Sequence, residues 1–161
     1  MSNLLNPNLL DYFALRHTQL TELHAELNEI INPQQRLQAK VELNLSPRES
    51  TAKNPENGLP TYQVITGLTC EGFNEENGQK SARKLVFTAR VSLLATYQQI
   101  QGEVLTFDDF KHQHPPLTRQ LYPLTHAYLR TLMQQIGLDN VQLPFDLINQ
   151  QTERKPKVSL H

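Results

Sequence analysis

From Arg36 to Leu45 apolar and polar residues alternate: Leu37, Ala39, Val41, Leu43 and Leu45 interleave with Gln38, Lys40, Glu42 and Asn44. A period of two predicts a strand with one packed face and one wet face. Ser46 to Pro60 then collects Ser, Pro, Asn and Gly, ending in Asn57-Gly58, which predicts a long mobile connection. Thr61 to Phe73 resumes strand character with Tyr62, Val64, Leu68 and Cys70 in phase, and Gly67 marks a bulge or a close backbone approach. A polar turn from Phe73 to Gly78 leads into the longest predicted strand, Ala82 to Ile100. Its Leu85, Phe87, Ala89, Val91, Leu93, Ala95 and Tyr97 share a face. Val86, Leu94 and Ile100 break up the polar character of the opposite face, leaving apolar positions for something to cover.

The period then changes. After a Pro-containing loop, Leu121-Tyr122-Pro123 opens a predicted helix that runs to Gly137. Leu121, Leu124, Tyr128, Leu132 and Ile136 recur at steps of three and four, which suits a face laid on a core. Tyr122, Leu129 and Met133 form a second stripe beside it, with His126 its one polar member. An apolar sector this wide points to burial against a second subunit or a ligand, or to a helix covered on both sides within its own domain. The N-terminal segment fits two periods. Leu20, Leu23, Leu27, Ile30 and Ile31 have helical spacing, so local pattern favours a helix over Leu9 to Ile31. Leu23, Ala25 and Leu27, with Phe13 and Leu15, also fit a strand.

Composition narrows the function. At 161 residues and 38% hydrophobic content the chain suits one globular domain with one core. A net charge of -1 provides no field to draw nucleic acid or an anionic membrane. The start lacks a basic n-region and long apolar run, and no later segment approaches a membrane span, so the expected location is cytoplasmic with no membrane insertion. One cysteine, Cys70, excludes an internal disulfide framework and reads as a small buried hydrophobe rather than a reactive thiol. No phosphate cradle, dinucleotide turn, HExxH or CxxC spacing occurs, so neither an enzyme nor a cofactor is expected. His112 and His114 lack the further ligands of a zinc site, and no metal is expected. His17 and His24 stand at opposite parity on a strand reading and should face opposite sides.

The order of strands, LYPLTHAYLRTLMQQIGL and then VQLPFDLI resembles the SecB-type export chaperones and the SecB-like chaperones that accompany some toxin-antitoxin modules. The likeness reaches most of the chain, with its most specific parts at Tyr122-Pro123, the helix body and Leu143-Pro144-Phe145. YFALRHTQLTELHAELN, beginning at Tyr12, is similar to the family's first strand, which overrules the helix reading there. The resemblance implies an α+β fold: a four-stranded antiparallel sheet with the long C-terminal helix packed on one face. It implies a chaperone domain over residues 1–150 and a flexible basic tail over 151–161.

The implied function is ATP-independent holding of unfolded or precursor polypeptides, for protein export or for a single partner such as an antitoxin. The implied assembly is a homotetramer, a dimer of dimers. Client contacts are assigned to Phe13, Leu15, Val86, Leu94, Leu143, Phe145 and Leu147, and the oligomer interface to Tyr122, Leu129 and Met133. Each assigned client residue has at least as strong a reading as core or subunit contact. The basic end QTERKPKVSLH departs from the acidic surface that docks the SecA motor in the export chaperones, which puts that partner in doubt. A small-ligand domain or enzyme stands as a weaker third reading.

Overall fold

The computed structural model describes residues 9–32, 37–74, 84–112, 114–138, 141 and 143. The elements run α1 (Leu9–Tyr12), β1 (Phe13–Leu27), β2 (Leu37–Lys53), β3 (Pro60–Asn74), β4 (Lys84–Gln99), α2 (Phe107–Lys111) and α3 (His114–Gln135). The strands form one antiparallel sheet in the order β1-β4-β3-β2, and α3 lies over β3 and β4. This is the architecture the resemblance implies. The polar turn after Phe73 and the basic tail fall outside the described residues.

Strand alternation translates directly into burial. Tyr62, Val64, Leu68 and Cys70 of β3 are buried with Phe87, Ala89, Val91, Leu93, Ala95 and Tyr97 of β4, so these residues form the sheet's helix side. α3 covers them in two clusters. Its first half puts Leu117 and Leu121 with Phe13, Tyr62, Val64, Ala95 and Tyr97, and its second half puts Leu129, Leu132 and Met133 with Leu68, Cys70, Phe87, Ala89 and Val91.

Several expectations are corrected. Ser46 to Pro60 is not a long loop, because β2 continues through Pro47 to Lys53. A proline is tolerated there because β2 is an edge strand, whose outward N–H needs no ladder partner. Gly67 is in register, and an added Cβ would meet only Ser92 Oγ at 3.6 Å. The irregularity lies instead at Gly72/Phe73, where Val86 is the extra residue on β4. A Cβ at Gly72 would stand 1.9 Å from Phe87 Cε1, so only glycine lets that ring cross the backbone. The helix begins at His114 rather than Leu121, with Pro123 inside it. α2 was not legible at all. It is capped by Thr106, whose hydroxyl accepts from Asp109 N while the Asp109 carboxylate accepts from Thr106 N.

A polar knot closes one end of the core. The fully buried Gln99 donates its amide to the Gln101 and Glu103 carbonyls. Its Oε1 accepts from Leu105 N at 3.0 Å, and its own carbonyl accepts from Asn54 Nδ2 at 3.1 Å. Tyr62 donates its hydroxyl to the Leu105 carbonyl at 2.7 Å. With every one of these polar groups paired, burial costs little.

Candidate functional site

The site begins with irregularity in β1. Its pairing with β4 shifts between Leu15 and His17 and again between Leu20 and Glu22. Each bulge inserts an unpaired residue and flips the side-chain parity that follows. Phe13 and Leu15 therefore share a face with Leu20, and Leu20 with Leu23, Ala25 and Leu27. Their β4 partners are Leu93, Val91, Ala89 and Phe87 for the last four, all buried on the helix side. A three-residue step from Leu20 to Leu23 looks helical in the sequence; it is a strand step across a bulge at Thr21. The Thr21 hydroxyl donates to the Ser92 carbonyl at 3.1 Å, tying the bulge to β4. The same shift corrects the histidines. His17 pairs with Thr96 and His24 with Arg90, so both lie on the far face, well separated along the strand.

The first half of β1 is covered. Phe13 is buried at ring-centroid distances of 5.2 Å from Phe110 and 5.8 Å from Tyr62. The second half is open: Leu20, Leu23 and Leu27 expose 37, 47 and 44% of their surface, and Ile30 beyond them exposes 96%. The row spans roughly 20 Å at the rise of a strand. β1 is also an outer strand of the sheet, so its unpaired main-chain groups run beside the leucines. The sheet's other edge is better protected. Leu37, Ala39, Val41 and Leu43 of β2 pack beside α3, and Leu45 packs on the cluster that holds Phe110 of α2.

The residues assigned from sequence divide accordingly. Phe13, Val86 and Leu143 are buried and are withdrawn as client contacts: aromatic stacking, the bulge and the second core cluster respectively enclose them. Leu15 is half-buried against the first cluster. Leu94 is half-buried on the far face, opposite Gln19 and Ile65. Phe145 and Leu147 lie outside the described residues. Tyr122, Leu129 and Met133, assigned to the oligomer interface, are buried at 3, 0 and 2%. That assignment is corrected, because the stripe taken as surplus faces the sheet. The stripe taken as the main core face is split: Leu121 and Leu132 are buried, whereas Leu124 and Tyr128 expose 37 and 42%. Sequence reasoning missed these two, and it missed Leu20, Leu23 and Leu27 as surface. The uncharged stretch from Pro123 to Tyr128, broken only by His126, was the available signal for the helix flank.

Reactive chemistry is absent from the open row, which contains no titratable side chain. Burial pushes the Cys70 thiol up to about 12, leaving it protonated and inert. His126 is held below the usual histidine range by burial first and by Arg130 second. Among the described residues no group of three or more His, Cys, Asp or Glu could hold a metal ion, and no helix is long and apolar enough to cross a membrane. Charges near the row sit on the far face, where Glu22 pairs with Arg90 at 3.7 Å. What the row offers is apolar surface beside an unpaired main chain, the chemistry of strand addition.

No protein-family model matches the chain, and no curated protein matches it. Among solved structures the chain is similar to a Mycobacterium tuberculosis SecB-like chaperone in complex with a ChAD peptide from the HigA1 antitoxin. The two share 17% identity with a TM-score of 0.64, covering 85% of this chain and 93% of that one. A Streptococcus agalactiae protein of unknown function aligns over 83% of this chain and 97% of its own at 15% identity, but its TM-score of 0.34 carries no weight. The fold is SecB-like.

Proposed function

We propose that this chain is an ATP-independent chaperone that holds unfolded polypeptide on the open row of β1. One observation carries the reading: Leu20, Leu23 and Leu27 stand exposed in a line along an unpaired sheet edge. Burying a leucine fully contributes about 1.5–3 kcal/mol, so three half-exposed leucines hold a few kcal/mol in reserve for an extended client. Leu15 borders the same face and extends the surface toward α1. Binding here requires contact only, which accords with a reading in which the protein is not an enzyme.

The assembly belongs to the same proposal. The exposed flank of α3 carries Leu124 and Tyr128, and the helix contains no Asp or Glu from His114 to Gln135. A self-complementary face of this kind suits a two-fold contact, and Leu124 and Tyr128 replace the buried trio as its members. Export through the SecA motor lacks support, since Arg154, Lys155 and Lys157 outweigh Glu153 in the tail.

A narrower reading is favoured by the antitoxin peptide held by the similar mycobacterial chaperone: this chain guards one partner rather than many. Aggregation suppression separates the two. Protection of several unrelated unfolded proteins at near-stoichiometric ratios supports the general holdase, and rescue confined to one co-expressed partner supports the dedicated one. No protection of any chain, with Leu20, Leu23 and Leu27 still exposed to solvent, would end both.

A further inference from the structure

The turn between β2 and β3 is fastened to the end of β4. Asn54 N donates to the Leu59 carbonyl at 2.8 Å and Gly58 N to the Asn54 carbonyl at 2.7 Å, which closes the turn. Buried Asn54 donates Nδ2 to the Gln99 carbonyl at 3.1 Å, and Asn57 Nδ2 stands 3.5 Å from the carbonyl oxygens of both Gln99 and Ile100. Asn57 Oδ1 accepts from Leu59 N at 2.9 Å. Asn57 is also followed by glycine, and Gly58 has a φ of 70° with nothing within 4 Å of an added Cβ. No side chain therefore screens its nitrogen, and both residues are exposed to water. The Leu59 N–H on Oδ1 stabilises negative charge that develops on that oxygen, as an oxyanion donor does. Asn54 differs: it precedes Pro55, whose nitrogen has no hydrogen to give up.

We propose that Asn57 is a self-modification site, at which attack by Gly58 N and hydrolysis turn the side-chain amide into a carboxylate and unfasten the turn from β4. Gly58 N gives up its proton and bonds to Asn57 Cγ, the Cγ–Nδ2 bond breaks, and Nδ2 leaves with that proton as ammonia. Water then opens the succinimide. Addition at Cγ yields aspartate; addition at the main-chain carbonyl carbon yields isoaspartate, whose backbone is longer by a methylene. No oxidant or reductant takes part. Either product loses the Nδ2 donor. In the aspartate a charged oxygen faces the Gln99 and Ile100 carbonyls, which repel it, and Gln99 is the residue whose amide holds the following loop. One bond resists the change. Gly58 N–H must leave the Asn54 carbonyl before its nitrogen can attack, so opening of the turn sets the pace in the folded chain.

The test incubates the full chain in mildly alkaline buffer, folded or in urea, and maps it by tandem mass spectrometry, which separates Asn57 from the second Asn-Gly pair, Asn77-Gly78. Amide-to-acid conversion, isoaspartate included, is expected at Asn57 in the folded chain, more slowly than in urea, with Asn54 intact in both. An unchanged Asn57 in the folded chain after the unfolded one has converted would overturn the proposal. Asn57→Ser cannot cyclise and should stay unmodified at that position. Asn57→Asp introduces the charge of the product directly. Hydrogen exchange at Leu105 N–H, which donates to Gln99 Oε1 at 3.0 Å, should quicken about fivefold in that variant; exchange at the parent's rate overturns the unfastening. Should the variant not fold, aged parent chain separated by its added negative charge supplies the same measurement.

Discussion

The two edges of the sheet carry similar side chains and meet different fates. On β2, Leu37, Ala39, Val41, Leu43 and Leu45 alternate without a break from Leu37 to Glu49, and α3 and α2 flank them until none is among the exposed large hydrophobics. On β1, two bulges interrupt the alternation and leave Leu20, Leu23 and Leu27 exposed. Composition therefore does not decide which edge is sticky; the placement of covering helices does. Regular alternation accompanies the covered edge, and the broken pattern accompanies the edge left open to solvent.

The largest test removes the cover. Leu129→Asp with Met133→Asp places two carboxylates where the side chains are 0 and 2% exposed. The expected cost exceeds about 5 kcal/mol, and β-sheet circular dichroism should be lost. Dissociation into folded, smaller species would instead mean that this stripe is an interface. Next comes Gly72→Ala, whose added Cβ collides with the Phe87 ring opposite Leu27. Overpacking of this kind costs about 1–3 kcal/mol or more, read as a lowered Tm.

A matched pair then addresses the edges themselves. Val41→Ser on β2 should cost about 1–2 kcal/mol of stability, while Leu20→Ser, Leu23→Ser and Leu27→Ser together should cost less per residue. The triple variant should weaken binding of an unfolded probe on the order of a hundredfold. Equal stability losses at both edges would erase the distinction. The smallest effect is alkaline. Cys70 rises from 9.0 to about 12 on folding, so the unfolded thiol ionises first. Its contribution is intact below pH 9 and falls as pH rises toward 12, with a limiting slope of about 1.4 kcal/mol per unit. Cys70→Ala should flatten this limb of a denaturation series, and the native thiol should resist alkylation until unfolding.

Much of the fold was legible because strands with one buried face write their period into the sequence. β3 and β4 were readable almost to the residue, and Cys70 proved a buried hydrophobe. β1 was not readable locally. The bulge at Thr21 turns a strand step into the three-residue step from Leu20 to Leu23, which with the ordinary double step to Leu27 imitates helical spacing, and only the family resemblance placed β1 in the sheet. The helix failed differently. The spacing of Leu124 and Tyr128 predicts core and that of Leu129 and Met133 a surplus, the reverse of their burial, because a wide apolar sector does not reveal which part meets the sheet. Neither did anything in Val86 disclose that a bulge would bury it. The open row was missed for the same reason as β1: its residues had the right chemistry and an ambiguous register.

Gln99 has a consequence for how the molecule tolerates change. One amide group measures out the loop that follows it, meeting Gln101, Glu103 and Leu105 in turn. The length of that stretch is fixed: adding or deleting a single residue would carry at least one of the three beyond reach. Insertions and tags grafted there should abolish expression of folded protein.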